Sequence, residues 1–278
     1  MTDTTTLPRL ALIGAGKMGG AMFAGWCKAG LAPSILIDPG LFNPVFHDPG
    51  TPESLARACD QVFAQATDTP AGWIPDAVVI AVKPQMAQIV LPDLTHLIGP
   101  DTVVLSIMAG RPIAAISAAL NNAAVVRAMP NTPAAIGKGI TVACAGPNVS
   151  DAQKSLCLRL LQSVGEAVFL EDEGLINPVS ALSGSGPAYV FLLAELMEQA
   201  GIELGIPASL ARTLARHTVA GSGALIEATS KDAAELRREV TSPRGSTEAA
   251  LAVLMAHHAW PQLMIDAMRA ATKRASEL

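Results

Sequence analysis

The sequence predicts an α/β chain, with an N-terminal doubly wound parallel sheet followed by an all-α C-terminal domain. Three observations predict it. Short apolar runs without polar alternation recur through the first half, and helical patterns lie between most of them, the mark of parallel strands covered on both faces. A glycine fingerprint, Gly14-Ala15-Gly16-Lys17-Met18-Gly19, follows the first run and opens a helix. From Asn177 onward no strand pattern occurs, only helices rich in Ala, Leu and Met. The 278 residues suffice for two domains of ordinary size. An acidic connector, Glu171-Asp172-Glu173-Gly174, sets the expected boundary, with domains at 1–171 and 172–278.

The first strand, Leu10-Ala11-Leu12-Ile13, runs straight into the fingerprint. Gly14 permits the tight bend, Gly16 lets the backbone approach a pyrophosphate, and Gly19 lets the helix pack close to the sheet. The helix that follows offers its first N–H groups to phosphate. This is a Rossmann-type nucleotide turn. Ser34-Ile35-Leu36-Ile37-Asp38, bounded by Pro33 and Pro39, reads as the second strand, with Asp38 at its end. Further strands are expected at 61–64, 77–82, 102–107, 125–128 and 140–144, and the runs 156–164 and 166–170 close this half. Helices are expected at 188–204, 208–228, 232–240 and 247–274. Residues 188–197 are apolar nearly all round, with Glu195 and Glu198 the first interruptions, so this helix needs cover on several sides. A helical domain of this size hardly surrounds it alone, and burial against a second subunit is expected; the alternative is the central helix of a monomeric bundle.

Half the residues are hydrophobic but only 4% are aromatic, so Ala, Val, Leu, Ile and Met must build the core. A net charge of -5 without a run of like charges argues against a nucleic-acid face and for small-molecule work. Cys27, Cys59, Cys144 and Cys157 are scattered without CxxC spacing, which points to reduced, buried thiols rather than a disulfide framework or a zinc site. The polar, Thr-rich start lacks the apolar stretch of a signal peptide, and no uninterrupted apolar run reaches the length of a membrane span. A cytoplasmic protein without membrane, metal or nucleic-acid partners is expected.

Four further segments carry chemistry. Ala81-Val82-Lys83-Pro84 follows a buried strand and places Lys83 at its carboxyl end, where ligands of open α/β sheets bind, or else at a solvated edge. Arg127-Ala128-Met129-Pro130-Asn131-Thr132-Pro133 sets Asn131 in a rigid loop, aimed at a flat amide such as nicotinamide or capping the turn. Leu182-Ser183-Gly184-Ser185-Gly186-Pro187 combines small residues with a Pro at a first helical position. In Val240-Thr241-Ser242-Pro243-Arg244-Gly245-Ser246-Thr247, a helix entrance with hydroxyls suits a carboxylate, an ordinary Ser or Thr cap being the alternative.

In this order, the segments GAGKMG, AVKP, RAMPNTP, ALSGSGPAY and VTSPRGST closely resemble the Δ1-pyrroline-5-carboxylate reductase family, from Leu10 to the C-terminal end. The resemblance implies reduction of the cyclic imine (S)-1-pyrroline-5-carboxylate to L-proline, the last step of proline biosynthesis, with hydride from NADPH or NADH. It implies that Gly14, Gly16, Lys17, Met18 and Gly19 hold the pyrophosphate, and that Ala81, Val82, Lys83, Pro84 and Asn131 line the ribose and nicotinamide end. Thr247 is then the catalytic hydroxyl at the ring nitrogen, and Ser185, Arg244, Gly245, Ser246 and Thr247 bind the cyclic imino acid. Asp38, about twenty residues beyond the fingerprint, stands where a carboxylate binds the ribose 2′-hydroxyl and disfavours a 2′-phosphate, which favours NADH. A homodimer or a higher homo-oligomer through the helical domain is expected.

The chain departs from the family at two places. Arg244 stands where the family has the first of two glycines, so the loop is strained if that position needs a positive φ; otherwise Arg244 lends its guanidinium to an anion. His257-His258-Ala259-Trp260 replaces a glycine-aromatic turn, and two adjacent histidines on a helix would not face the same way. Two other functions remain as alternatives, a short hydroxy-acid dehydrogenase of similar outline and a non-catalytic dinucleotide-binding protein. The dehydrogenase needs a basic catalytic side chain in the helical half, where Lys231 is the only lysine between Lys154 and Lys273.

Overall fold

A computed structural model describes residues 7–41 and 61–277. Cys59 lies outside them. The strands are β1 (Leu10–Ile13), β2 (Ile35–Ile37), β3 (Gln61–Phe63), β4 (Ala77–Ile80), β5 (Val103–Ser106), β6 (Ala124–Met129), β7 (Gly139–Ala145) and β8 (Gly165–Leu170). They form one sheet in the order β3-β2-β1-β4-β5-β6-β7-β8. The expected doubly wound architecture is there, and each strand lies within a few residues of its sequence-based position.

One pairing departs from the expectation of parallel strands, because β7 runs antiparallel to β6 and β8 then runs parallel to β7. A parallel return needs a crossover of a dozen or more residues. The link from β6 to β7 holds only the 3₁₀ turn Thr132–Ile136, flanked by a few residues.

The helices of this part are α1 (Lys17–Lys28), α2 (Ala87–Val90), α3 (Ile113–Ala119), α4 (Asp151–Gln162) and α5 (Ile176–Val179). Ser150 starts α4 with a capping box, its hydroxyl accepting the Gln153 N–H while the Gln153 side chain accepts the Ser150 N–H. Alternate residues of each strand sort into two cores. Leu10, Leu12, Val79, Leu105 and Val126 join Phe23 and Trp26 of α1 and Leu160 and Leu161 of α4. Ala11, Ile13, Val78, Ile80, Val104 and Val125 join Ile113 and Ile116 of α3. β1, β2, β4 and β5 are buried on both faces, so they read as apolar runs without polar alternation. The Trp26 indole N–H donates to the Leu160 carbonyl at 2.8 Å and so keeps its one polar atom paired in the core.

The described chain parts into two compact units, the first extending to Gly184 and including residues 272–277, the second comprising Ser185–Ala271. This division falls later than the acidic connector at 171–172. The reason is a set of contacts that binds residues 173–184 to the sheet. Arg127, on β6 and only 5% exposed, donates through Nη1 to Glu173 Oε1 at 2.9 Å. The same carboxylate oxygen accepts the Ile113 N–H at 2.9 Å, and Ile176 is fully buried in the second core. Removing Glu173 would strand the charge of the buried Arg127.

The second unit contains α6 (Gly186–Glu203), α7 (Ala208–Ala228), α8 (Ala233–Glu239), α9 (Ser246–Leu254) and most of α10 (Trp260–Ser276). The single helix expected at 247–274 is therefore two. His257 and His258 sit in the intervening turn, where their rings meet edge to face with Nδ1 and Nε2 3.2 Å apart. The expectation that they diverge fails because the backbone there is not helical. Within this unit α6 packs on α7, with Ala211 and Ala215 buried. Large apolar side chains remain uncovered, including Phe191 at 65% and Val253 at 71% exposure.

The stretch Glu173–Glu203 is also long and apolar enough, by length and composition, to cross a membrane. Polar residues such as Glu195 and Glu198 interrupt it, so it is not an uninterrupted apolar run. The thiols of Cys27, Cys144 and Cys157 are free. Burial pushes the Cys157 thiol up to about 12, and burial followed by the nearby Glu173 carboxylate raises that of Cys144.

Candidate active site

The sheet order reverses between β1 and β4, and ligands of open α/β sheets bind at the carboxyl ends of strands at such a switch. β1 runs into Gly14 and β4 into Ala81. Gly14 has φ +91°, which a residue with a Cβ rarely adopts, and a Cβ there would lie 3.0 Å from the Ala81 backbone and from Val82 Cγ1. At Gly19 a Cβ would fall on the Gly14 carbonyl oxygen and 2.8 Å from Ala81 Cβ. Gly16 caps α1 in an extended conformation with no side-chain hydrogen bond. The N–H groups of Lys17, Met18 and Gly19 are thus left at the positive end of the helix dipole. This backbone cradle fits a dinucleotide pyrophosphate. The Lys17 side chain is exposed, whereas Met18 packs against the first core, so Met18 offers its backbone rather than its side chain.

Lys83 is exposed and precedes the 3₁₀ turn Pro84–Met86. Arg111, in the loop after β5, donates through Nε and Nη2 to the Pro84 carbonyl at 3.2 and 3.0 Å. Sequence reasoning passed over Arg111. Its signal was the same as that of Lys83, a cation just beyond a strand's carboxyl end.

Asp38 uses both carboxylate oxygens. Oδ1 accepts the Gly40 N–H at 2.8 Å and closes the Asp-Pro-Gly turn, while Oδ2 accepts the Ala15 N–H of the fingerprint at 2.6 Å. Each oxygen keeps a further lone pair for a ligand. Asn131 is 8% exposed, and its amide braces two segments: Nδ2 donates to the Ser183 carbonyl at 3.1 Å, and Oδ1 accepts the Ile140 N–H at 3.0 Å. It does not cap the following turn with its side chain. One amide N–H remains for a ligand.

In the second unit, Ser185 precedes α6 without a side-chain cap bond. The Arg244 loop is the strained form of the two conformations open to it, since Arg244 has φ +62°. A left-handed residue with a Cβ costs about 1–2 kcal/mol. Its N–H donates to Glu248 Oε2 at 2.6 Å, and the Gly245 N–H donates to the Ser242 carbonyl at 3.0 Å. The N–H groups of Arg244 and Gly245 are thus spent inside the loop. Gly245 is the N-cap of α9 and brings no side chain, so the N–H groups of Ser246, Thr247 and Glu248 head the helix uncapped. The Thr247 hydroxyl, half-buried at the second helical position, makes no hydrogen bond to another described residue and is not a cap.

Residues 173–278 match the family described as pyrroline-5-carboxylate reductase dimerisation, and residues 9–110 match NADP oxidoreductase, coenzyme F420-dependent. A pyrroline-5-carboxylate reductase of Pseudomonas aeruginosa is 38% identical over 274 residues, covering 98% of this chain and 97% of that protein. The solved pyrroline-5-carboxylate reductase of Coxiella burnetii is 30% identical and superposes with a TM-score of 0.85 over 99% of this chain and 98% of its own. The Plasmodium falciparum pyrroline carboxylate reductase, solved with NADP bound, shares the fold at 24% identity, with a TM-score of 0.80 over 97% of both chains. With fold, motif order and overall sequence in agreement from end to end, the chain belongs to the pyrroline-5-carboxylate reductase family.

Proposed function

We propose that this chain reduces (S)-1-pyrroline-5-carboxylate to L-proline with NADPH or NADH. The observation that carries the reading is the head of α9, where N–H groups and a Thr247 hydroxyl, without hydrogen-bond partners among the described residues, stand together in the segment that matches the family's substrate loop. The nicotinamide cofactor supplies the hydride. Gly14, Gly16 and Gly19, with the backbone of Lys17 and Met18, hold its pyrophosphate, while Ala81, Val82, Lys83, Pro84 and Asn131 serve the ribose and nicotinamide end. The N–H groups of Ser246 and Thr247 receive the substrate carboxylate, assisted by Arg244 and Ser185. The Thr247 hydroxyl bonds the ring nitrogen as it passes from imine to amine. An imine needs protonation and an aimed hydride, so positioning and electrostatics carry most of the rate.

The functional division follows the sequence boundaries, with cofactor binding on 1–171 and substrate and subunit contacts on 172–278. Lys231, the base that a hydroxy-acid dehydrogenase would need, is paired with Glu239 at 2.5 Å and sits in an exposed turn. That supports the imine reductase over the dehydrogenase.

Oxidation of NADPH or NADH on addition of pyrroline-5-carboxylate tests the reading, and no substrate-dependent oxidation by either would overturn it. The same assay addresses Asp38. Asp38→Ser is expected to move the ratio of kcat/KM values toward NADPH, because it removes the charge opposed to a 2′-phosphate. Equal weakening toward both cofactors, with the ratio unchanged, would assign Asp38 to bracing Ala15 and the Asp-Pro-Gly turn only.

The uncovered apolar faces of α6 and α9 support a homodimer, or a higher assembly of dimers, through the helical unit. This reading also gives the apolar stretch around α6 a protein partner in place of a membrane, and the free thiols suit the cytoplasm. Light scattering at micromolar concentration is expected to return at least twice the mass of one chain. A monomer with full activity would refute the assembly.

A further inference from the structure

Glu248 occupies the third position of α9, from which a glutamate ordinarily reaches back to the N–H of the capping residue. Here the carboxylate reaches one residue further. Glu248 Oε2 accepts the N–H of Arg244 at 2.6 Å, and Arg244 is the one residue of the loop held at a positive φ without being glycine. The two features belong together. A left-handed arginine on the surface has little packing to hold it, and both Arg244 and Glu248 are exposed. A short charge-assisted bond to its backbone supplies the restraint that a glycine at this position would not need. The bond ties the Pro243–Arg244 peptide, just ahead of the capping Gly245, to the first turn of α9, the turn that carries the Ser246 and Thr247 N–H groups.

We propose that Glu248 is a positioning residue for substrate recognition, latching Arg244 in its left-handed conformation so that the loop is already shaped when a carboxylate arrives. The proposal rests on the assignment of this loop to the substrate. The latch acts through the backbone of Arg244 and leaves the guanidinium free to face an anionic substrate. Its value is preorganisation: without it the loop samples other conformations, and the substrate must first select the competent one.

Three variants of the full chain test this, with pyrroline-5-carboxylate as substrate, L-proline as an equilibrium probe, and NADPH binding followed by fluorescence. Glu248→Ala is expected to raise KM for the imine and Kd for L-proline roughly three- to tenfold, while leaving Kd for NADPH unchanged. Glu248→Gln, whose amide oxygen still accepts the Arg244 N–H, is expected to recover most of the loss. In an Arg244→Gly background the glycine adopts the turn without restraint, so adding Glu248→Ala is expected to change KM less than about twofold, a non-additivity that exposes the coupling.

A Glu248→Ala enzyme that melts earlier but keeps its KM would overturn the proposal by reducing the bond to helix stability. A lower KM would overturn it too, because Glu248 would then compete with the substrate carboxylate. An effect of equal size in the glycine background would show that Glu248 acts independently of Arg244. Failure of the underlying function is distinguished at the outset, since the parent chain would then show no imine-dependent oxidation.

Discussion

Thr247→Ala is expected to lower kcat roughly ten- to a hundredfold, the loss that follows from deleting one hydrogen bond worth about 1–3 kcal/mol at the reacting nitrogen. The structure sharpens the expectation. Gly245, not Thr247, is the N-cap of α9, and the Thr247 hydroxyl has no hydrogen bond to another described residue that its removal would break. The folded chain therefore loses little when the hydroxyl goes, and the thermal midpoint is expected to stay within a few degrees of the parent. Cofactor affinity should also be unchanged. Thr247→Ser keeps the hydroxyl and is expected to keep most of the activity. Steady-state kinetics with pyrroline-5-carboxylate, paired with a melting curve, decides the matter: an alanine variant as active as the parent would remove Thr247 from the chemistry.

Gly19→Ala is expected to weaken cofactor binding by a further large factor, through packing rather than chemistry. The added methyl would collide with the Gly14 carbonyl oxygen and with Ala81 Cβ, and the first of these is backbone that cannot rotate away. Either α1 lifts from the sheet or the Gly14 turn opens, and overpacking of this kind costs about 1–3 kcal/mol. Both movements misplace the N–H groups of Lys17, Met18 and Gly19, which act together on one pyrophosphate. A rise in Kd for NADPH of roughly ten- to a hundredfold is expected from fluorescence titration, with a lowered thermal midpoint. Unchanged affinity would mean that the head of α1 is not the pyrophosphate site.

Much of the candidate site is legible in the sequence because its residues obey local rules. Gly14, Gly16 and Gly19 follow a strand and open a helix, and the structure places them with Ala81 and Val82 where the sheet order reverses. Arg111 and Glu248 escaped notice. Each acts on a backbone group of another segment or turn, the Pro84 carbonyl and the Arg244 N–H, and side-chain identity does not announce such partners. The bracing by Asp38 of Ala15, and by Asn131 of Ser183 and Ile140, escaped for the same reason.

By itself, the sequence determined the layered α/β half, the approximate positions of its strands along the chain, the helical second half and the family. Apolar periodicity and glycine placement are local consequences of burial and of backbone sterics, and they survive in one dimension. Tertiary structure alone decided that β7 turns back antiparallel, since an apolar run has no direction and only the short link after β6 limits its return. It alone decided that Arg244 takes φ +62°, because a positive φ at arginine depends on what holds it, here a carboxylate one helical turn away. And it alone decided that residues 173–184 stay with the sheet: the acidic connector that set the expected boundary delivers Glu173 to a buried arginine, a pairing across distant positions in the chain that no local pattern encodes.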